Sequence, residues 1–118
     1  MSNVSTEEYS QAQATTLGAM VHSPDGLKLV TQWSLASDRN VVSQATYDDL
    51  TTHMHTRLAS IRIPIGPLYL WEPAVGTIER VDSYDIAQYA GAALFKSECI
   101  KGSRHVIMLD QPQLFAAA

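Results

Sequence analysis

The chain has 118 residues, 46% hydrophobic and 17% charged, with a net charge of −4 and a pI of about 5.4. These proportions describe a folded globular domain rather than a disordered chain, long enough for one core without staples. They argue against a phosphate-backbone binder, which needs a basic stripe, and no run approaches the ~18 apolar residues of a membrane span.

One cysteine leaves no internal disulfide and fits a reducing compartment. The first residues, MSNVSTEEYS, lack the charged and apolar regions of a signal peptide, so a cytoplasmic protein is expected. Residues 1–118 read as a single domain, with 1–4 and 111–118 as loose ends.

In chain order, Ser5 and Glu8 form an S-x-x-E capping box, with Val4 and Tyr9 placed as its hydrophobic staple. A helix is predicted from Thr6 to about His22. Its apolar side (Tyr9, Ala12, Thr16, Met20) is thin, so it depends on docking onto its own core or onto a partner. Ser23-Pro24-Asp25-Gly26 reads as a turn. Leu27, Leu29, Thr31, Trp33 and Leu35 alternate with mostly polar residues and predict a half-buried strand. Ser37 to Asn40 breaks it, and Val41-Val42 begins a second short strand.

Thr46 is placed as a cap for a helix from Tyr47 to about Ala59, with Asp48 and Asp49 in its first turn. Ile61, Ile63 and Ile65 alternate around Pro64, as in an edge strand. Gly66-Pro67 turns the chain into a strand over Leu68 to Trp71, and Thr77 to Val81 completes a meander. The longest helix is expected between Asp82 and Gly102. Its core stripe is Ile86, Tyr89, Ala90, Ala93 and Leu94; its reverse side, Ala87, Gly91, Ala92, Phe95 and Cys99, is also small or apolar. His105 to Leu109 reads as a strand buried on both faces. The expected class is therefore α+β: a small domain with an antiparallel or mixed sheet of about 4–5 short strands and three helices, in the order α-β-α-β-β-β-α-β.

The chemistry-bearing residues form no catalytic or cofactor motif. His53 and His55 would share a metal on a strand, but on a helix they diverge by about 200°. They read as surface histidines, and no metal is expected. Cys99 near a helix C-terminus faces a dipole that opposes a thiolate, so it reads as structural. Asp48 and Asp49 are adjacent rather than facing. No cofactor is expected.

An over-apolar last helix suits a non-enzymatic regulatory or adaptor protein, for example an inhibitor or antiactivator that masks a partner's dimerisation surface. Ala87, Gly91 and Phe95, with Tyr9 and Met20 of the first helix, are the expected contact residues. The partner would be another protein or a second copy in a homodimer, with no nucleic acid and no membrane. Two alternatives stand beside this. One is a ligand-binding or catalytic domain with a pocket lined by Trp33, Tyr69, Trp71, Cys99 and His105. The other is a self-associating structural or assembly protein.

Overall fold

The computed structural model describes residues 5–118. Helix dominates it: α1 (Thr6–Met20), α2 (Pro24–Ala36), α3 (Arg39–Thr51), α4 (Ile78–Tyr89), α5 (Ile107–Asp110) and α6 (Pro112–Ala117), with 3-10 turns at His55–Ser60 and Pro73–Val75. Among the described residues the sheet has two parallel strands, β1 (Leu68–Trp71) and β2 (Glu98–Lys101). The expected α+β class, with its four- or five-stranded sheet and three helices, is therefore overturned.

Capping chemistry accounts for the first three helices. In α1 the Glu8 amide donates to Ser5 Oγ at 3.2 Å and the Ser5 amide to Glu8 Oε2 at 2.8 Å, a closed capping box. The staple to Val4 lies outside the described residues. The Ser-Pro-Asp-Gly stretch starts a helix instead of making a free turn. Ser23 Oγ accepts from the Gly26 amide at 3.2 Å, Pro24 fills the first turn, and Asp25 sits at the positive end of the dipole. The strand expected over Leu27–Leu35 is therefore α2. Its buried face, Gly26 and Val30, follows helical spacing. A Cβ at position 26 would press on Ser23 Oγ and come within 2.9 Å of Val21 Cγ1, so only glycine fits there.

Asp38 accepts from the Asn40 and Val41 amides at 2.8 and 3.2 Å, which starts α3 where a break and a strand were expected. Thr46, expected as a cap, lies inside this helix and donates its hydroxyl to the Val42 carbonyl at 2.9 Å.

The second half is a βαβ unit. β1 leads through α4 into β2, and the parallel register pairs Leu68 with Glu98, Tyr69 with Cys99, Leu70 with Ile100 and Trp71 with Lys101. A bridge between Ile65 and Phe95 extends the ladder. The helix expected over Asp82–Gly102 thus starts earlier, at Ile78, and stops at Tyr89, short of Gly91. Stopping there avoids the roughly 1 kcal/mol that an internal glycine costs. The residues beyond it gain backbone bonds with β1 and with the segment leading into it, including the Lys96 amide to the Ile65 carbonyl at 3.1 Å. Of the expected core stripe, Tyr89 is half-buried; Ile86, Ala90, Ala93 and Leu94 are exposed. Gly102 does adopt positive φ, at 73°, but it closes a strand rather than a helix. The strands expected at Thr77–Val81 and His105–Leu109 belong to α4 and to α5 with its lead-in, and residues 112–117 form α6 rather than a loose end.

A polar network locks the α1–α2 corner onto the C-terminal ends of the two strands. Glu72, buried, follows β1; Arg104 follows β2. Arg104 Nε donates to Glu72 Oε1 at 2.6 Å, and its Nη1 donates to the Gly18 carbonyl at 2.6 Å. His22 Nδ1 lies 3.0 Å from Glu72 Oε2. Asp110 accepts from the amides of His22, Ser23 and Arg104 at 2.8–3.0 Å. Burial alone would raise the Asp110 pKa; the three amides outweigh it and hold the carboxyl below its ordinary range.

Arg104→Ala leaves the buried Glu72 carboxylate with only the exposed His22 imidazole as a partner, and a loss of about 3 kcal/mol in urea unfolding is expected. A loss under about 0.5 kcal/mol would mean that solvent screens the pair. Because the Asp110 pKa is depressed on folding, its stabilisation is present above about pH 4 and lost as pH falls through the lower folded value. Between pH 5 and 2 the urea midpoint of the wild type should fall more steeply than that of Asp110→Asn; parallel curves would refute this.

Candidate functional site

The inward side of α4 is unusual for a packed helix. Ile78, Val81, Asp82, Asp85, Gln88 and Tyr89 are its less exposed residues, and two of the six are aspartates. Asp82 is satisfied: the Tyr69 hydroxyl donates to its Oδ1 at 2.6 Å. That bond, reinforced by burial, raises the Tyr69 pKa above the usual phenol range. Asp85 is different. It is only 8% exposed, and its buried Oδ2 has no hydrogen-bond partner among the described residues.

Asp85 lines a cavity of about 400 Å³ between β1, α4 and α5. Leu68, Leu70, Val81 and Ile107 supply apolar wall, and Tyr69, Tyr84 and His105 the remaining polar groups. A larger recess of about 590 Å³ lies where Ile65 pairs with Phe95, with Leu68, Leu94, Lys96 and Glu98 around it.

The expected contact residues are dispersed. Ala87 is exposed on α4, Gly91 is in the turn after it, and Phe95 is half-buried in the bridge with its ring 6.1 Å from that of Tyr89. Tyr9 and Met20 are half-buried on α1. The Arg39 guanidinium stacks 4.3 Å above the Tyr9 ring. Met20 offers its carbonyl to the Val106 amide at 3.1 Å. With the long helix gone, Ala87, Gly91 and Phe95 share no helix face.

The aromatic pocket expected from the sequence is only partly assembled. Tyr69 and His105 line the smaller cavity, while Trp33 is exposed on α2 and Trp71 donates its indole N–H to the Gly76 carbonyl at 3.1 Å. His53 and His55 lie after α3, and His55 Nε2 is 2.6 Å from Gln88 Oε1. No group of three or more His, Cys, Asp or Glu among the described residues is arranged to hold a metal.

In the helix expected over 82–102 Asp85 falls in the first turn, where the helix dipole accounts for it, and Glu72, Arg104 and Asp110 are not among the site residues expected from the sequence. The signal for Asp85 was the spacing Val81, Asp82, Asp85, Tyr89, an apolar stripe with carboxylates inside it.

A second feature is apolar and points outward. α3 has no buried residue. Tyr47 and Leu50 on it are 64% and 73% exposed, Val41 on it is exposed as well, and Trp33, Leu35 and Met54 are exposed nearby in the chain. In the described residues the buried hydrophobic core is Val21, Val30, Ile100 and Ile107. No helix among these residues is long and apolar enough to cross a membrane.

Cys99 sits on β2 opposite Tyr69. Burial, and then the Asp82 carboxylate, push its thiol pKa up. Iodoacetamide at pH 8 should therefore alkylate the native chain several-fold more slowly than the urea-unfolded chain; equal rates would show an unshielded thiol. Comparison with known protein families, curated proteins and solved structures gave no match.

Proposed function

We propose that this is a non-enzymatic regulatory or adaptor protein that acts in the cytoplasm by binding another protein. An inhibitor or antiactivator that covers its partner's dimerisation surface is the concrete form of this reading. The observation that carries it is the set of large apolar side chains on and near α3, among them Trp33, Tyr47 and Leu50, that the described residues leave exposed.

Area supports this. The accessible surface is 8844 Å², against roughly 6,300 Å² for a compact monomer of this mass. The radius of gyration is 16.5 Å, against about 13–14 Å for a compact domain of this length. The surplus exceeds the roughly 800 Å² that each partner buries in a standard protein–protein interface. Exposed aromatic residues such as Trp33 and Tyr47 are the kind that anchor such interfaces. The acidic balance steers the protein toward a basic partner and affects on-rate more than affinity.

Tyr47→Asp with Leu50→Asp tests the reading. Neither side chain is in the core, so the helical circular dichroism should be unchanged. A host protein or second copy bound by the wild type should be lost, with affinity falling more than about 100-fold. Retention of the same partner by the folded double variant, or a wild type that binds neither host protein nor itself, would overturn the proposal.

A further inference from the structure

A carboxylate within apolar walls needs a proton or a cation beside it. Asp85 has neither an ion pair nor a donor for Oδ2 among the described residues. It is more than nine-tenths buried and forms part of the wall of the cavity of about 400 Å³ between β1, α4 and α5. That volume lies within the usual range for small-molecule sites.

The geometry points to a binding site for a small organic cation: an amine carried on an aromatic or aliphatic body, its ammonium paired with Asp85 and its body against Leu70, Val81 and Ile107. This site is separate from α3 and independent of the partner-binding reading.

Three features select that chemistry. An anion would face Asp85, with Asp82 one helical turn earlier, and be repelled. A neutral apolar molecule would fill the space but leave the carboxylate unsatisfied. A metal ion would want several hard ligands, and the described residues offer no such group. An ammonium supplies both the charge and the donors, in a charge-assisted bond strengthened by apolar surroundings. The Tyr84 ring in the same wall adds aromatic surface of the kind that attracts cations. His105 is exposed, and the Tyr69 hydroxyl is engaged with Asp82, which leaves Asp85 as the carboxyl of the wall whose Oδ2 has no partner among the described residues.

Calorimetric titration of the full chain with three indoles tests this. Tryptamine carries the ammonium, 3-methylindole is neutral, and indole-3-acetate is anionic. Tryptamine should bind saturably at one site, about tenfold or more tighter than either of the others. Asp85→Asn should remove that preference and leave 3-methylindole unchanged. Tyr84→Ala, at an exposed position, should weaken tryptamine several-fold with the carboxylate intact. Absence of saturable tryptamine binding, equal affinity for 3-methylindole, or an undiminished preference in folded Asp85→Asn would overturn the inference. Should Asp85→Asn fail to fold, the probe comparison on the wild type together with the response of Tyr84→Ala decides the matter. Loss of partner binding in the α3 variant would leave tryptamine binding unchanged, so the two readings fail separately.

Discussion

The Arg104–Glu72 pair is the contact on which the rest of the arrangement depends. Each residue directly follows or closely trails a strand of the parallel pair, so the bond joins the two strand ends across the sheet. The same guanidinium reaches the Gly18 carbonyl, and the same carboxylate meets His22. One partly buried charge pair therefore fixes three chain segments at once. Asp110 then holds the other side of the corner through the amides of His22, Ser23 and Arg104. With so few hydrophobic side chains buried among the described residues, this polar joint carries work that a larger core would share. Buried pairs of this kind contribute little against a hydrophobic replacement, but losing one partner is costly. They specify an arrangement more than they stabilise it.

The distribution of polarity over the helices is partly inverted. α4 turns Asp82 and Asp85 inward, while α3 turns Tyr47 and Leu50 outward. Packing within the chain accounts for Asp82, through Tyr69, but not for Asp85. Nor does it account for the α3 surface. Conflicts between local pattern and burial concentrate where a protein does something other than fold. Here they lie at two places, a half-open cleft beside α4 and an exterior helix. The first suits a small cation and the second a protein surface, and the two readings rest on different residues.

Some of the fold was legible in the residues. The Ser5–Glu8 box was, because both hydrogen bonds are local and need no partner from elsewhere. So was the β1 strand at Leu68–Trp71. Other stretches carried two compatible readings. Ser-Pro-Asp-Gly serves equally as a turn and as a helix start, and the apolar residues of 26–35 fit period two as well as 3.6. The cap at Ser23 and the contact around Gly26 decide for the helix. At Asp38 the same logic holds: an apparent break is an N-cap. Of the candidate site, Tyr69 and His105 were identified as pocket residues, but Asp85 was not. A first-turn aspartate has a sufficient local explanation, and its burial is visible only once α4 is known to begin at Ile78.

What the sequence by itself determined is local and compositional: an acidic globular chain, a capped first helix, and more apolar side chains than a small core uses. The tertiary structure decided the division of the 82–102 stretch into a helix and a strand. The residues from Leu94 to Lys101 can propagate a helix on their own propensity. Pairing with β1 supplies a ladder of hydrogen bonds and buries Ile100, gains that exist only when a segment some thirty residues away in the chain lies alongside. That non-local pairing ends the helix before Gly91, moves its start back to Ile78, and so sets Asp85 inside a cavity wall. The same event separates Ala87 from Phe95 and transfers the uncovered apolar surface from the last helix to α3.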